Sequence, residues 1–304
     1  MVRSSSRDSR FEWIDQRRLV PEPLRDAAGV TELPHGANLP AVDGSLNGAD
    51  RVALVTGGSR GIGAATVLAL CRRGCDVAFT YRSRLRRAEQ VLSDASRAGR
   101  RVAAFANDMT DAVATEAFFR TLREWTDRLH VLVLNASGGL EPGAEPGYAM
   151  RINRDAQVAF AELALPLLVA GATIVLVTSH WAHRYGEVPQ LPAYAPVAES
   201  KYAGEQALRE RFADPRLGIR LLVVTGDLVE GTVTPKLLER ASRGLAEHRR
   251  HEAGALPTAA DMGSAIAGAA LDDALPGGHT VVVGGDLGSL DTPAQQVRIN
   301  PSPL

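Results

Sequence analysis

The sequence predicts an α/β fold in which helices cover both faces of one doubly wound, mostly parallel sheet of seven strands. Seven short apolar runs, rich in β-branched residues, alternate with helix-like segments along the chain. These runs are apolar throughout, as expected of strands that are covered on both faces. A chain of 304 residues with 45% hydrophobic content is also long enough to bury one large core. We therefore expect a single domain over residues 51–290.

The order of the elements supports this fold class. Strand-like and helix-like segments follow one another in strict alternation, which is typical of parallel sheets with helical crossovers. No stretch within this region indicates a second domain. The predicted strands are residues 51–56, 76–81, 101–106, 130–135, 173–178, 220–225 and 280–284.

Residues 1–50 form an N-terminal extension that departs from this pattern, because Pro, Gly, Ser and charged residues are scattered through it. Two interpretations stay open: a disordered leader, or an arm that packs on the core or on a neighbouring subunit. The extension has no apolar segment typical of a signal peptide, and its acidic residues argue against a transit peptide. No run approaches the ~20 apolar residues of a transmembrane helix. We expect a cytoplasmic protein with a short C-terminal tail over residues 291–304.

Charge and cysteine content exclude several classes of function. A formal net charge of −1 gives no reason to expect a nucleic-acid partner or an anionic membrane surface, so a small-molecule substrate is expected. Cys71 and Cys75 are predicted to be reduced thiols without metal partners, and no metal site is expected. Lys201 and Lys236 are the only lysines in the chain.

A glycine-rich run, Thr56 to Gly63, follows the first strand and precedes the helix-like segment 64–70. Gly57, Gly61 and Gly63 would allow a tight turn, a close approach to a pyrophosphate, and close packing of helix against strand. The phosphates would then lie at the helix N-terminus. The run predicts a dinucleotide site in a Rossmann-type fold, whereas the alternative is a tight turn without a ligand.

Together with later motifs, this run resembles the short-chain dehydrogenase/reductase family over about residues 50–290. The family's Thr-Gly-x-x-x-Gly-x-Gly matches without gaps at Thr56 to Gly63, and its Asn-Asn-Ala-Gly is altered to residues 134–137, Leu-Asn-Ala-Ser. The resemblance implies that Asp108 holds adenine, with Met109 beside it, and that Gly226 belongs to the segment facing the nicotinamide. It also implies a homodimer or homotetramer.

For the chemistry, the resemblance implies that Ser179 polarises a carbonyl oxygen, Asn153 supports a proton-relay water and Lys201 holds the nicotinamide ribose. The family's Tyr-x-x-x-Lys becomes Val197-Ala-Glu-Ser-Lys201. A tyrosine one helical turn before a lysine shares its face, and the ammonium favours the phenolate. Valine can do neither, so the usual proton donor is missing.

Tyr194 is one candidate for a substitute donor, since it lies seven residues before Lys201 on nearly the same helical face. Pro196 should sit in the first turn and leave Tyr194 just outside the helix. Two turns rise about 10 Å, and on that ground we expect water or the substrate to supply the proton. Removal of the Tyr194 hydroxyl should then lower turnover less than about tenfold. His180 and His183 remain further alternatives.

Cofactor preference follows from charge after the second strand. NAD sites place an acid there, whereas this chain has Arg82 and Ser83, with Arg60 in the glycine run. Guanidinium groups suit a phosphate dianion, so NADP(H) is expected. The predicted cofactor-binding residues are Gly57, Ser59, Arg60, Gly61, Ile62, Gly63, Arg82, Ser83, Asp108, Met109, Asn135, Ala136, Ser137, Lys201 and Gly226.

These features indicate an atypical NADP(H)-dependent reductase acting on a carbonyl of a small-molecule or secondary-metabolite substrate. The segment 234–254 is helix-like, and the resemblance implies that it forms a substrate lid. Two alternatives stay open: a non-redox cyclase, dehydratase or lyase that uses the nucleotide as a scaffold, and a catalytically silent binding protein. The retained Ser179, Asn153 and Lys201 disfavour the silent protein.

Overall fold

The computed structural model describes residues 30–33 and 48–290, and its centre is one sheet of eight strands in which every neighbouring pair is parallel. The order of the strands across the sheet is β1-β8-β7-β6-β5-β2-β3-β4. The strands are β1 (Val30–Leu33), β2 (Val52–Val55), β3 (Asp76–Tyr81), β4 (Val102–Ala106), β5 (Leu129–Leu134), β6 (Leu168–Ser179), β7 (Arg220–Gly226) and β8 (Thr280–Val283).

Helices cover both faces of the sheet. Buried residues of α1, α2 and α10 form one core cluster with the strands, and those of α3, α5 and α7 form the cluster on the other face. A π-helical turn, Arg151–Asp155, joins α4 to α5. The helices are α1 (Gly61–Arg72), α2 (Leu85–Ser96), α3 (Ala112–Trp125), α4 (Tyr148–Met150), α5 (Ala156–Ala164), α6 (His180–His183), α7 (Ala195–Arg211), α8 (Val233–Ala241), α9 (Leu245–Ala253) and α10 (Ala259–Leu271).

The doubly wound fold and its seven predicted strands are confirmed, and an eighth strand is added. Strand β1 lies within the predicted N-terminal extension and pairs in parallel with β8, from Val30 against Thr280 to Leu33 against Val283. This segment of the extension therefore packs on the sheet edge, which was one of the two interpretations. Its four residues show too short a pattern to predict a strand from sequence. The structure does not describe the other residues of the extension, 1–29 and 34–47, or the predicted tail 291–304.

The strand order fixes where a ligand can bind. From β2 the chain adds β3 and β4 on one side, whereas β5, β6, β7 and β8 follow on the other side. The order therefore reverses between β2 and β5, and open α/β sheets bind ligands in the crevice at the carboxyl ends of the strands beside such a point. The glycine loop and the segments after β3, β4 and β5, which carry most of the predicted cofactor residues, follow strands at this edge. No helix in residues 48–290 is both long and apolar enough to cross a membrane.

Candidate active site

The loop after β2 is shaped as a cradle for phosphates. Gly57 has a φ of +68°, in the left-handed region, and a Cβ on Gly63 would lie 2.3 Å from the Gly57 carbonyl oxygen. Helix α1 begins at Gly61, and no side chain caps its N-terminus at Arg60. The N–H groups of its first turn therefore stay available to an anion, where the helix dipole also favours negative charge. This geometry fits the pyrophosphate of a dinucleotide.

The loop after β5 holds this cradle in place. The backbone N–H groups of Asn135 and Ala136 donate to Thr56 Oγ1 over 2.9 and 3.0 Å, and Asn135 Nδ2 donates to the Thr56 carbonyl over 2.9 Å. Gln157 Nε2 in turn donates to the Ala136 carbonyl over 2.5 Å. The Asn135 side chain is thus used to fasten β2 to β5 at the point where the strand order reverses.

Asn153 lies in the π-helical turn, and its amide is fully used by neighbours. Its Oδ1 accepts hydrogen bonds from Ser137 Oγ over 2.8 Å and from Gly138 N–H over 3.3 Å. Its Nδ2 donates to the Gly138 carbonyl over 2.9 Å and to Ser200 Oγ over 3.0 Å. A Cβ on Gly204 would lie 2.1 Å from the Asn153 carbonyl oxygen, so α7 packs directly on this turn. Asn153 therefore ties the β5 loop to the helix that carries Lys201.

Ser179 and Tyr194 are brought together at the carboxyl end of β6. Their hydroxyl oxygens lie 2.8 Å apart in a hydrogen bond, and Ser179 Oγ also accepts from the Ala182 N–H over 3.3 Å. Tyr194 stands immediately before α7, with a proline in the first turn, and is 4% exposed. Its predicted place outside the helix is confirmed, but the argument that distance removes its hydroxyl from the site is wrong. That argument took the rise from Lys201 along the helix, whereas the phenol reaches across to the end of β6.

The environment of Tyr194 keeps its proton on the oxygen. Burial raises the pKa of Tyr194 to about 12, although the hydrogen bond with Ser179 lowers it in part. Val197, which occupies the family's tyrosine position, is buried in the same apolar cluster as Tyr194, Leu191 and Trp181. Val197 therefore contributes to the apolar packing around Tyr194.

Lys201 is half-buried, and its Nζ donates to the Val177 carbonyl over 3.4 Å. Burial lowers the pKa of Lys201 from its usual range to about 8. Within residues 48–290 no ion pair or hydrogen bond joins Nζ to a carboxylate or to the Tyr194 hydroxyl. An ammonium has three N–H donors, so two remain available for hydroxyl groups of a ligand.

The two histidines after Ser179 serve packing in this structure. His180 Nε2 lies 2.6 Å from the Gly284 carbonyl, which can only accept, so the ring donates there and Nδ1 accepts from Thr225 Oγ1 over 3.0 Å. Burial lowers the pKa of His180 and favours the neutral ring. His183 Nδ1 bonds to the buried carboxylate of Glu205 over 2.9 Å. Neither ring hydrogen-bonds to Ser179 or Tyr194.

The predicted lid forms helices α8 and α9. A buried ion pair anchors α9, and it was not predicted from the sequence. Arg249 of α9 is 2% exposed, and its Nη2 lies 2.5 Å from Asp227 Oδ2. Its Nη1 also lies 2.9 Å from Glu252, and its guanidinium carbon lies 5.3 Å from the centre of the Trp181 ring. Asp227 directly follows β7, and this position was the one available signal. A Cβ on Gly226 would lie 2.7 Å from the sulfur of Met262, so that glycine is required for packing.

Exposed cations line the crevice after β2 and β3. We call this part the adenosine side, because the sequence predicts that it holds the adenosine of the cofactor. Arg60 and Arg82 are both exposed, and Arg82 Nη1 donates to the hydroxyl of Tyr148 over 2.5 Å. Asp108 Oδ1 closes a turn by accepting from the backbone N–H and hydroxyl of Thr110 over 3.0 and 2.7 Å, which leaves Oδ2 available. Tyr148 belongs to none of the motifs that predicted the site.

The remaining predicted cofactor residues are distributed around the same edge. Ser59 and Ile62 are half-buried in the glycine loop and first turn, Ser83 is exposed beside Arg82, and Met109 is buried under the adenosine side. Within the described residues, no group of three or more His, Cys, Asp or Glu side chains could hold a metal ion. Cys71 and Cys75 are free and buried, and burial raises the pKa of both thiols.

Comparison with known proteins agrees with this geometry. Hydroxynaphthalene reductase-like protein Arp2 of Metarhizium brunneum is 31% identical over 172 residues, which are 55% of this chain and 63% of that relative. The match thus spans less than two thirds of that relative's length. Short chain dehydrogenase/reductase nsrJ of Aspergillus novofumigatus is 29% identical over 202 residues, 64% of this chain and 74% of its own.

Solved structures share the fold. A short chain dehydrogenase from Burkholderia cenocepacia J2315, solved in complex with NADP, aligns with a TM-score of 0.66 and 26% identity, over 80% of this chain and 99% of that one. The family model described as short chain dehydrogenase matches residues 51–233, which span strands β2 to β7 and the glycine loop. Because this match covers more than half of the chain, the protein belongs to the short-chain dehydrogenase family of oxidoreductases.

Proposed function

We propose that this protein is an NADP(H)-dependent reductase that converts a ketone of a small-molecule substrate to an alcohol, with Tyr194 as the proton donor. The observation that carries the proposal is the 2.8 Å hydrogen bond between Ser179 Oγ and the Tyr194 hydroxyl at the carboxyl end of β6. Each hydroxyl has one hydrogen, so a carbonyl oxygen that replaces their mutual hydrogen bond can accept from both. The two bonds would polarise the carbonyl, and Tyr194 would then supply the proton.

The state of Tyr194 suits reduction. A phenol whose pKa is raised to about 12 stays protonated at every physiological pH. An alkoxide forming on the substrate is a far stronger base than a phenolate, so the proton moves from Tyr194 to that oxygen as the C–H bond forms. Solvent then returns a proton to the phenolate. Abstraction of a proton from an alcohol would instead require the phenolate, which burial disfavours.

The cradle and its cations support NADP(H) as the cofactor. When bound, this cofactor supplies or accepts the hydride. The glycine loop would hold the pyrophosphate, Lys201 the nicotinamide ribose, and Arg82 with Arg60 the 2′-phosphate. No acid follows β3, where an NAD site would place one. Reduction is also the activity in the name of the Metarhizium relative, and the Burkholderia structure contains NADP.

The test is transfer of isotope from labelled cofactor. The protein would be incubated with NADPH carrying deuterium at the reactive C4 position and a panel of aromatic ketones that includes reducible hydroxynaphthalenes. We expect deuterium on the carbinol carbon of the alcohol product. A Ser179→Ala variant should transfer label much more slowly while binding NADPH normally.

Turnover of a substrate without incorporation of label would contradict reduction and indicate the non-redox alternative. Binding of NADPH with neither label transfer nor turnover across the panel would instead indicate the silent binding protein.

A further inference from the structure

Arg82 and Tyr148 meet across the crevice although they lie 66 positions apart in the sequence. Arg82 follows β3, whereas Tyr148 begins the short helix α4 beyond the β5 loop. Arg82 Nη1 donates to the Tyr148 hydroxyl oxygen over 2.5 Å. This contact joins the two walls on the side where the sequence places the adenosine half of a cofactor.

Tyr148 is held in place by its own loop. A Cβ on Gly138 would lie 2.9 Å from Cε1 of the Tyr148 ring, so the glycine permits the ring to pack against the β5 loop. Gly147 has a φ of +78° and turns the chain into α4. The guanidinium of Arg151 lies 5.8 Å from the ring centre, and it is fixed in turn by Glu145 over 3.1 Å. The ring therefore has a defined orientation before any ligand binds.

The hydrogen-bonding capacity of the pair suits an anion. The Tyr148 oxygen accepts from Arg82, so the hydroxyl hydrogen remains free to donate. Burial raises the pKa of Tyr148, and the nearby carboxylates of Glu141 and Asp108 also raise it, while Arg82 lowers it. The hydroxyl thus keeps its proton. The guanidinium has five N–H donors, of which this contact uses one.

We propose that Tyr148 is a specificity-determining ligand for the 2′-phosphate of NADPH and forms a two-residue clamp with Arg82. The inference rests on the proposed cofactor and adds a residue from the opposite wall of the crevice. Tyr148 acts in two ways: its hydroxyl donates to the phosphate, and its oxygen holds the exposed Arg82 in one orientation. An arginine that is already oriented loses less side-chain entropy when the phosphate binds.

The experiment isolates the 2′-phosphate. Titration calorimetry would compare 2′,5′-ADP with 5′-AMP, which differs from it only by lacking the 2′-phosphate, on the unmutated protein and on Tyr148→Phe. Loss of one hydrogen bond and of the orientation of Arg82 should weaken 2′,5′-ADP about 5- to 30-fold. Binding of 5′-AMP should change less than about twofold. Tyr202→Phe is the matched control, because that ring contacts Tyr185 after α6 rather than Arg82, and should affect neither ligand.

Combination with Arg82→Ala sharpens the result. If the two residues form one clamp, Tyr148→Phe should cost little further affinity once Arg82 is gone, so the two effects should not add. Equal weakening of both ligands would show that Tyr148 only shapes the crevice, and additive effects would show that the residues act separately. Unchanged or tighter binding of 2′,5′-ADP by Tyr148→Phe would also overturn the inference.

Failure of the clamp and failure of the proposed function give different results. If the protein prefers NADPH to NADH and transfers label, but Tyr148→Phe binds 2′,5′-ADP normally, only the proposed clamp is contradicted. If the protein does not distinguish NADPH from NADH, both the proposed cofactor preference and the clamp are contradicted.

Discussion

The two halves of the crevice use the same side-chain types in different surroundings. On the adenosine half, after β2 and β3, the polar groups are exposed cations, and Tyr148 bonds to Arg82. On the carbonyl half, after β6 and β7, the polar groups are buried, and Tyr194 bonds to the neutral Ser179. A hydroxyl beside a solvated guanidinium is suited to hold an anion, whereas a buried hydroxyl beside another hydroxyl is suited to transfer a proton. The surroundings of each tyrosine, rather than its chemistry, indicate its role.

The halves also differ in how charge is tolerated. Arg82 and Arg60 stay in water, where an unpaired cation costs little and can be offered to a ligand. Arg249 is buried on the carbonyl half and is fully paired with Asp227 and Glu252, since an unpaired buried cation would be strongly destabilising. The exposed cations are available to a ligand, whereas the buried one fixes α9 against the end of β7.

The largest expected effect separates the two tyrosines. Tyr194→Phe keeps the ring and removes only the hydroxyl, so we expect kcat for ketone reduction to fall about 10²- to 10⁴-fold, the range for loss of a positioned general acid. The affinity for NADPH should be unchanged, because Tyr194 lies on the carbonyl half. Steady-state kinetics with fluorescence titration of NADPH measures both quantities.

Tyr202→Phe provides a control for removal of a tyrosine hydroxyl within α7. A fall in kcat of less than tenfold for Tyr194→Phe would show that water or a substrate hydroxyl supplies the proton, as the sequence alone indicated.

The next effect belongs to the adenosine half. Arg82→Ala removes a charge-assisted contact worth about 1.5–3 kcal/mol, so NADPH should bind about tenfold to a hundredfold more weakly. NADH has no 2′-phosphate and should bind as before. The dissociation constants of both cofactors, measured at one fixed ionic strength, check this. Arg84→Ala is the matched control, since Arg84 follows in the same exposed run. Equal affinity of the unmutated protein for both cofactors would contradict the assignment.

The glycine loop could be predicted from the sequence more readily than the contacts between loops, for a physical reason. The glycine loop is local: Gly57 and Gly63 are needed because of backbone conformation and close contact within eight residues, so their spacing is visible in the sequence. The seven apolar strands are likewise visible from composition. The Ser179–Tyr194 contact joins two loops whose approach depends on the packing of α7 against the π-helical turn at Asn153. Contacts between segments distant in sequence, such as Arg82 with Tyr148 and Asp227 with Arg249, produce no fixed spacing that could be recognised in the sequence.

The smallest expected effect concerns Lys201, which lies between the halves, and it depends on pH. Burial lowers the pKa of Lys201 to about 8, so its ammonium loses its proton as pH rises through that value. We expect NADPH affinity to fall about threefold to tenfold between pH 7 and 9.5, as charged hydrogen bonds to the ribose become neutral ones. Lys201→Met should bind weakly at pH 7 and show no such fall. Fluorescence titration across this range measures it, above the pH at which the 2′-phosphate titrates.

The same pKa requires the opposite trend in stability, which makes the test of Lys201 a stringent one. Because the folded-state pKa of about 8 lies below the value of about 10.4 in an unfolded chain, the unfolded state binds more protons between these values. The free energy of unfolding should therefore rise with pH across this window, relative to Lys201→Met, while cofactor affinity falls. Denaturant unfolding of both proteins at pH 7, 8.5 and 10 checks the sign. If affinity instead stayed level to pH 9.5 while relative stability fell toward pH 10, Lys201 would be held charged by a partner, and its place between the two halves would have to be assigned anew.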